Sequence, residues 1–374
     1  TNVTTTSGAG IYMDAMSITI EDYDHDSDMD IFITNTDSKN VLLQNQGDGT
    51  FDDVAVAAGV WENDATTVTW GALFLDYDNN TWDDLFVGTL GTGVSLAQQC
   101  DFYINDGDGT FTLNQNAVGL MGAIAADYTS AMGDMNNDGY FDFINNNASP
   151  SVSALWQNDG GTNNWFGLTV TGVISNRDAI GTLIELWAGG EKYVRYTMAG
   201  ENYMCQNSER EVFGLANETT VDSLKLTWPS GLEEWYYQPS INTYHQYVEG
   251  ESLANVIVPL SADGGLAICP GQSVTISIDT DAEVIWSNDL TGASITVDQP
   301  GIYSATFVNE YGFTMYSDTL TVSLAADPEL EYLVTNVSCH NGNNGEAAVV
   351  PIDEELDSII WNNDSTTFSL TGLT

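Results

Sequence analysis

The residues best suited to chemistry are three clusters of acidic and amide side chains on one shared spacing. DYDHDSDMDIF at 22–32 puts Asp22, Asp24, Asp26, Asp28 and Asp30 at alternate positions. DYDNNTWDDLF at 76–86 and DMNNDGYFDFI at 134–144 keep the frame D-x-[DN]-x-[DN]-x-x-x-D, at intervals of 54 and 58 residues. In a tight loop, side chains at positions 1, 3, 5 and 9 converge on one point, and a backbone carbonyl at position 7 completes an oxygen cage. Hard carboxylate and carbonyl oxygens select Ca2+ over zinc or copper.

Three Ca2+ sites are therefore expected. The first takes Asp22, Asp24, Asp26 and Asp30 with the carbonyl of Asp28. The second takes Asp76, Asp78, Asn80 and Asp84 with the carbonyl of Trp82, and the adjacent Asp83 is an alternative ligand. The third takes Asp134, Asn136, Asp138 and Asp142 with the carbonyl of Tyr140. Asp28 stands where the other copies have aromatic residues, so its side chain is expected to face away from the ion. Position 6 must turn sharply in left-handed geometry, which suits Gly139 better than Ser27 or Thr81. Thr is β-branched and resists positive φ, so the second site is expected to be the weakest. An EF-hand fits less well, because position 12 is not Glu and strand-like runs follow the loops in place of helices.

The elements that position these loops read as strands. Each loop follows a short alternating segment (MSITIE, WGALFL, SAMG) and runs into an apolar one, and a Gly-rich turn comes after. Those turns are NQGDGTF at 45, NDGDGTF at 105 and NDGGTNNWF at 158. Period-2 alternation with such turns predicts antiparallel hairpins. Units of 50 to 60 residues with about four short strands fit β-propeller blades. Three blades do not close a ring, so further blades are expected upstream of Thr1 or from other chains.

The loops and their GDGTF hairpins resemble the VCBS and FG-GAP repeats of integrin-like propellers. The resemblance implies one calcium-stabilised loop per blade, in a structural role, across residues 1–165. From 166 to 250 the phrases SNRDAIGT, VFGLAN and LTWPSG are similar to the ASPIC/UnbV domain, which follows VCBS blades in cartilage-acidic-protein-like and bacterial surface proteins. Within it, Asn176, Arg177 and Asp178 form a polar turn. Arg177 is expected to pair with a carboxylate, a blade aspartate for example, or else to contact a glycan or carboxylate ligand through its fork.

Residues 251–326 carry about seven short strands around Trp286, an Ig-like sandwich pattern. They resemble Ig-like modules of large secreted Bacteroidota proteins, which implies a partner for Cys269 after the YG pair, where Phe313 stands instead. Residues 327–374 are similar to the start of an SprB-type adhesin repeat. The fold class expected is thus all-β: a partial propeller of about three blades, an ASPIC/UnbV-like β domain and Ig-like modules, as a segment of a larger surface protein.

Charge and missing motifs narrow the function. Fifty-four acids against six bases give a net charge of −48, which argues against a nucleic-acid or anionic-membrane partner. No apolar run is long enough to span a bilayer. Cys100, Cys205, Cys269 and Cys339 lie too far apart for a zinc motif, and their disulfide pairing is left open. His25, His245 and His340 are dispersed, and no nucleophile elbow or phosphate-binding loop is present. The expectation is a non-enzymatic, calcium-binding secreted or cell-surface element acting in adhesion or as structure, with a glycan or protein ligand. The alternatives are a polysaccharide-active enzyme whose catalytic face lies on further blades, and a filament subunit that self-associates through open blade edges.

Overall fold

The computed structural model describes residues 2–36, 39–61, 67–91, 100–114, 127–147, 152–326, 330–351 and 359–374. The boundary expected at 326/327 borders residues 327–329, which lie outside the described residues. Contacts divide the chain into one unit of Thr1–Asn255 with Tyr311–Phe313, and a second of Val256–Glu310 with Thr314–Thr374. Both are all-β.

In the first unit, strands β1 (Ala15–Glu21), β2 (Asp30–Asn35), β3 (Val41–Asn45) and β4 (Phe51–Asp53) form one antiparallel meander. Strands β5 (Thr67–Leu75), β6 (Asp84–Gly91), β7 (Asp101–Asn105) and β8 (Phe111–Leu113) form the next. Strands β9 (Asp127–Gly133), β10 (Asp142–Asn147) and β11 (Ala154–Trp156) form a third, of three strands and not four. The missing strand has a topological cause. After Trp156 the chain enters β12 (Asn164–Thr171), which pairs with later strands instead of returning to β11.

Apolar residues face both ways from the middle blade, which is covered on both sides, whereas in the third blade Ile144 and Leu155 are exposed. In β6, Leu85 and Val87 join Phe32, Leu42, Phe74 and Tyr103 in one core, while Phe86 joins Phe102, Tyr140, Phe141 and Phe143 in another. Burying each such ring contributes about 1.5–3 kcal/mol. Between blades, the run after β4 folds into a turn, and Phe111 donates its N–H to the Ala58 carbonyl at 2.8 Å. Ser7 accepts from Phe51 in the same way at 2.7 Å, so the repeat extends further towards the N-terminus than the loops suggest.

The rest of this unit is a pair of sheets. β12 lies between β15 (Glu211–Ala216) and, in parallel, β18 (Tyr244–Val248). The other sheet has the order β14 (Glu191–Tyr196), β13 (Leu183–Ala188), β16 (Ser223–Thr227), β17 (Glu233–Tyr237). Phe166, Leu186, Leu224 and Trp228 lie in the core that these strands share. The segment between β14 and β15 crosses the first strands of all three blades. Asn202 Oδ1 accepts from Ala72 N at 2.9 Å and Ser17 Oγ at 3.4 Å, and its amide donates to the Ser130 carbonyl. Ser208 N then donates to the Met132 carbonyl at 2.9 Å.

The second unit has three small sheets between Ile257 and Leu324, with Trp286 buried and its Nε1 donating to the Gly292 carbonyl at 2.8 Å. A final antiparallel sheet joins Leu330–Thr335, Gly345–Pro351 and Ser369–Leu373. All four cysteines are free thiols. Among the described residues no helix is long and apolar enough to cross a membrane.

Candidate metal centre

Each aspartate loop connects the first and second strand of its blade. Position 6 is left-handed in all three copies, with φ of 75° at Ser27, 90° at Thr81 and 85° at Gly139. Position 4 is left-handed as well, at His25 (59°), Asn79 (57°) and Asn137 (61°). The sequence signal for that second turn is the Asn in two of the copies, since Asn tolerates this region best after Gly.

Side chains build the loops by accepting backbone donors. The position-1 carboxylate takes the position-6 N–H: Ser27 to Asp22 Oδ2 at 3.1 Å, Thr81 to Asp76 Oδ2 at 2.8 Å, Gly139 to Asp134 Oδ2 at 2.7 Å. Position 5 takes the position-7 N–H, with Asp28 to Asp26, Trp82 to Asn80 and Tyr140 to Asp138 all near 2.9 Å. Position 9 takes the N–H of the Asn that heads the hairpin: Asn45 to Asp30 at 2.7 Å, Asn105 to Asp84 at 2.9 Å and Asn158 to Asp142 at 2.7 Å. These three Asn residues are absent from the expected set. Their recurrence at the start of every Gly-rich turn is the signal that could have found them.

The loops differ in what remains. In the first, Asp22 Oδ1, Asp24 Oδ1 and Asp30 Oδ2 are buried and have no hydrogen-bond partner. The same three residues each bring one carboxylate oxygen within 4.8 Å of the others. Burial, reinforced by Asp26 and Asp24, pushes Asp22 up to about 7. Burial pushes Asp30 up to about 8 against the Asn45 N–H, with Asp24, Asp26 and Asp22 adding to the rise. Buried carboxylates without partners are costly, and a divalent ion among them turns their repulsion into attraction. Asp26 lies outside this trio. The Asp28 carboxylate lies against Gly47 in the β3–β4 hairpin, where an added Cβ would come within 2.7 Å of Oδ2.

Among the described residues, acidic side chains converge in this way only in the first loop. In the second, Asp76 accepts from Asn80 and Thr81, Asp78 from Asn80, and Asp84 from Asn105 and Tyr77. Burial, with Asp83 and Asp84 adding to it, holds Asp76 well above the usual carboxylate range. In the third, Asp134 accepts from Asp138 N, Gly139 N and, at 2.6 Å, the Tyr244 hydroxyl. Asp142 accepts from Met135 and Asn158, and Asn136 pairs with Asp138. The Trp82 ring lies flat against His25 with centroids 4.0 Å apart, and the Tyr140 hydroxyl donates to the Asn163 carbonyl at 2.9 Å.

Two of the expected contacts fall elsewhere. Both oxygens of Asp83 accept from Arg195 Nη2, at 2.8 and 2.9 Å, on the side away from Asp84, because neighbouring side chains entering a strand point to opposite faces. Arg177 is exposed, and among the described residues it forms no ion pair. Its turn is held by Glu249 instead, whose Oε2 accepts the N–H groups of Val173, Ile174 and Ser175 at 2.7–2.8 Å. Among the described residues, the base that meets blade carboxylates is Arg195.

Comparison with known proteins fits this layout. Residues 22–87, which include the first two loops, match the FG-GAP-like repeat. Residues 172–254 match the family described as ASPIC and UnbV. The chain thus carries a stretch similar to an FG-GAP-like repeat ahead of one similar to the ASPIC and UnbV family. No curated protein sequence matches it. Among solved structures, it is similar to murine CEACAM1b at 11% identity and a TM-score of 0.17, covering 43% of this chain and 100% of that one. BBS1N, in a complex with ARL6DN soaked with mercury, is similar at 10% identity and 0.21, covering 85% and 95%.

Proposed function

We propose that this chain is a non-catalytic, calcium-binding part of an extracellular or cell-surface protein, acting in adhesion or as a structural surface element. The observation that carries the calcium reading is the trio of buried carboxylate oxygens without partners on Asp22, Asp24 and Asp30. An all-oxygen donor set in a loop of this spacing suits Ca2+. The FG-GAP-like match supports the extracellular setting. The adhesion reading implies a glycan or protein of the cell surface as partner.

The loops rank differently from the order that position 6 alone suggests. The first loop binds most tightly, because one oxygen each of Asp22, Asp24 and Asp30 has no other partner. The second (Asp76, Asp78, Asn80, Asp84) and third (Asp134, Asn136, Asp138, Asp142) must exchange existing hydrogen bonds for the ion. Extracellular calcium modules bind at about 10⁻⁴ to 10⁻³ M, which defines the range to titrate. Calorimetric titration of the whole chain should show a leading binding step that Asp30→Asn abolishes, and a melting temperature that falls in EDTA. A melting temperature indifferent to both calcium and chelator, with no heat of binding, would sink the proposal.

A further inference from the structure

Arg195 on β14 is buried, with 7% of its surface exposed, at the place where the first two loops meet the paired sheets. Its Nη1 donates to Glu21 Oε2 at 3.2 Å, while Nη2 donates to both oxygens of Asp83. Glu21 directly precedes the ligand candidate Asp22, and its Oε1 accepts the Asp22 N–H at 3.3 Å. Asp83 directly precedes Asp84. One guanidinium thus grips the first corner of one loop and the last corner of the next. Phe213 on β15 backs it, with the ring centroid 5.1 Å from Cζ.

A second contact comes from the same strand two residues earlier, and hence from the same face. Tyr193 meets His25 edge-on at 5.3 Å, and His25 lies flat on Trp82 at an interplanar angle of 10°. β14 therefore touches the first loop at Glu21 and His25. A planar fork suits this bridge between two carboxylates, and an ammonium group does not reproduce it.

We propose that Arg195 is a positioning residue that couples calcium occupancy of the first loop to the seating of β14 and its sheet on the blades. The inference rests on the calcium reading above. An ion that fixes Asp22 also fixes Glu21, the preceding residue, whose carboxylate accepts the Asp22 N–H, and so completes one side of the arginine clamp. Coupling is reciprocal, so a seated β14 raises calcium affinity by the same factor.

Hydrogen–deuterium exchange of the whole chain, with and without Ca2+, tests this alongside a calorimetric titration. In the parent protein, calcium should slow exchange in peptides covering both 22–30 and 191–197, by roughly tenfold in the latter, within the usual range of coupling. Arg195→Met should keep the slowing at 22–30, lose it at 191–197, and bind calcium roughly fivefold or more weakly. Arg195→Lys should resemble Arg195→Met. Glu21→Gln removes the same link without touching the arginine, and serves if Arg195→Met does not fold. Slowing at 22–30 with none at 191–197 in the parent overturns the coupling and leaves the calcium reading standing. So does a full response at 191–197 in both Arg195→Met and Glu21→Gln. If calorimetry finds no calcium bound to the parent, the calcium reading fails and the coupling falls with it.

Discussion

Asn105 donates its side-chain amide to the Tyr23 carbonyl in the preceding blade at 2.9 Å and to the Asp83 carbonyl in its own at 3.0 Å. Asn158 repeats the pattern one blade on, with Tyr77 at 2.7 Å and Phe141 at 3.4 Å. Asn45, in the first blade, donates to Met29 alone at 3.2 Å. Position 2 of one loop and position 8 of the next are thereby held by a single amide. Each buried carbonyl left without a donor costs roughly 1–3 kcal/mol. Asn105→Ala should destabilise the first unit by roughly 2–4 kcal/mol and Asn45→Ala by about half as much, read from urea unfolding. Equal losses would show that the bond between blades contributes nothing.

Asp134 tests the ligand assignment where the ion must compete with protein donors. Its carboxylate accepts from Asp138, Gly139 and Tyr244, so Asp134→Ala leaves three donors unmatched and should cost roughly 2–4 kcal/mol even in chelator. At saturating calcium the variant should also bind one ion fewer than the parent. An undiminished ion count would remove Asp134 from the ligand set.

The part of this site that was legible in sequence is the part that is local. Loop geometry recurs at fixed offsets, so three copies of one frame pointed to Asp22, Asp24 and Asp30, which the fold draws together, and to position 6, which is left-handed at Ser27, Thr81 and Gly139. Period-2 alternation likewise revealed the blades. Arg195 was not legible, because its partner Asp83 is 112 residues away and nothing local in KYVRY marks its arginine for burial. Arg177 attracted the pairing expectation only because it sits in a polar turn. The hairpin Asn residues were read as turn formers, which they are, since each accepts the N–H of a following Gly. Their second role depends on a neighbouring blade. The third blade's short sheet was hidden for a similar reason, because the segment after NDGG is strand-forming whichever sheet takes it.

Gly214 on β15 allows the paired sheets to approach the second loop. A Cβ there would lie 1.9 Å from Asp76 Oδ2 and 2.7 Å from the Asn79 Cα, and Asn79 is backbone that cannot swing aside. Gly214→Ala should therefore cost roughly 1–3 kcal/mol by overpacking and weaken calcium binding at the second loop more than at the first. A titration in which both steps shift equally would show that the strain spreads through the unit and is not confined to Asp76.

Asp127 should give the first unit a pH dependence separate from the aspartate loops. Its carboxyl, at the start of β9, is fully buried and accepts from Ser130 Oγ at 2.7 Å and Thr129 N at 3.1 Å. Burial outweighs those bonds and raises it from 3.8 to about 7. The folded state then holds this proton more tightly than the unfolded chain does. Its contribution is complete below about pH 4 and is lost as pH rises towards about 7. Asp127→Asn has no proton to lose there. Unfolding free energies of the two proteins, measured from about pH 4 to about pH 8 in chelator, should therefore diverge, with the parent losing stability relative to the variant as pH rises. Parallel curves would mean that Asp127 ionises at its ordinary value, and that Ser130 and Thr129 compensate fully for its burial.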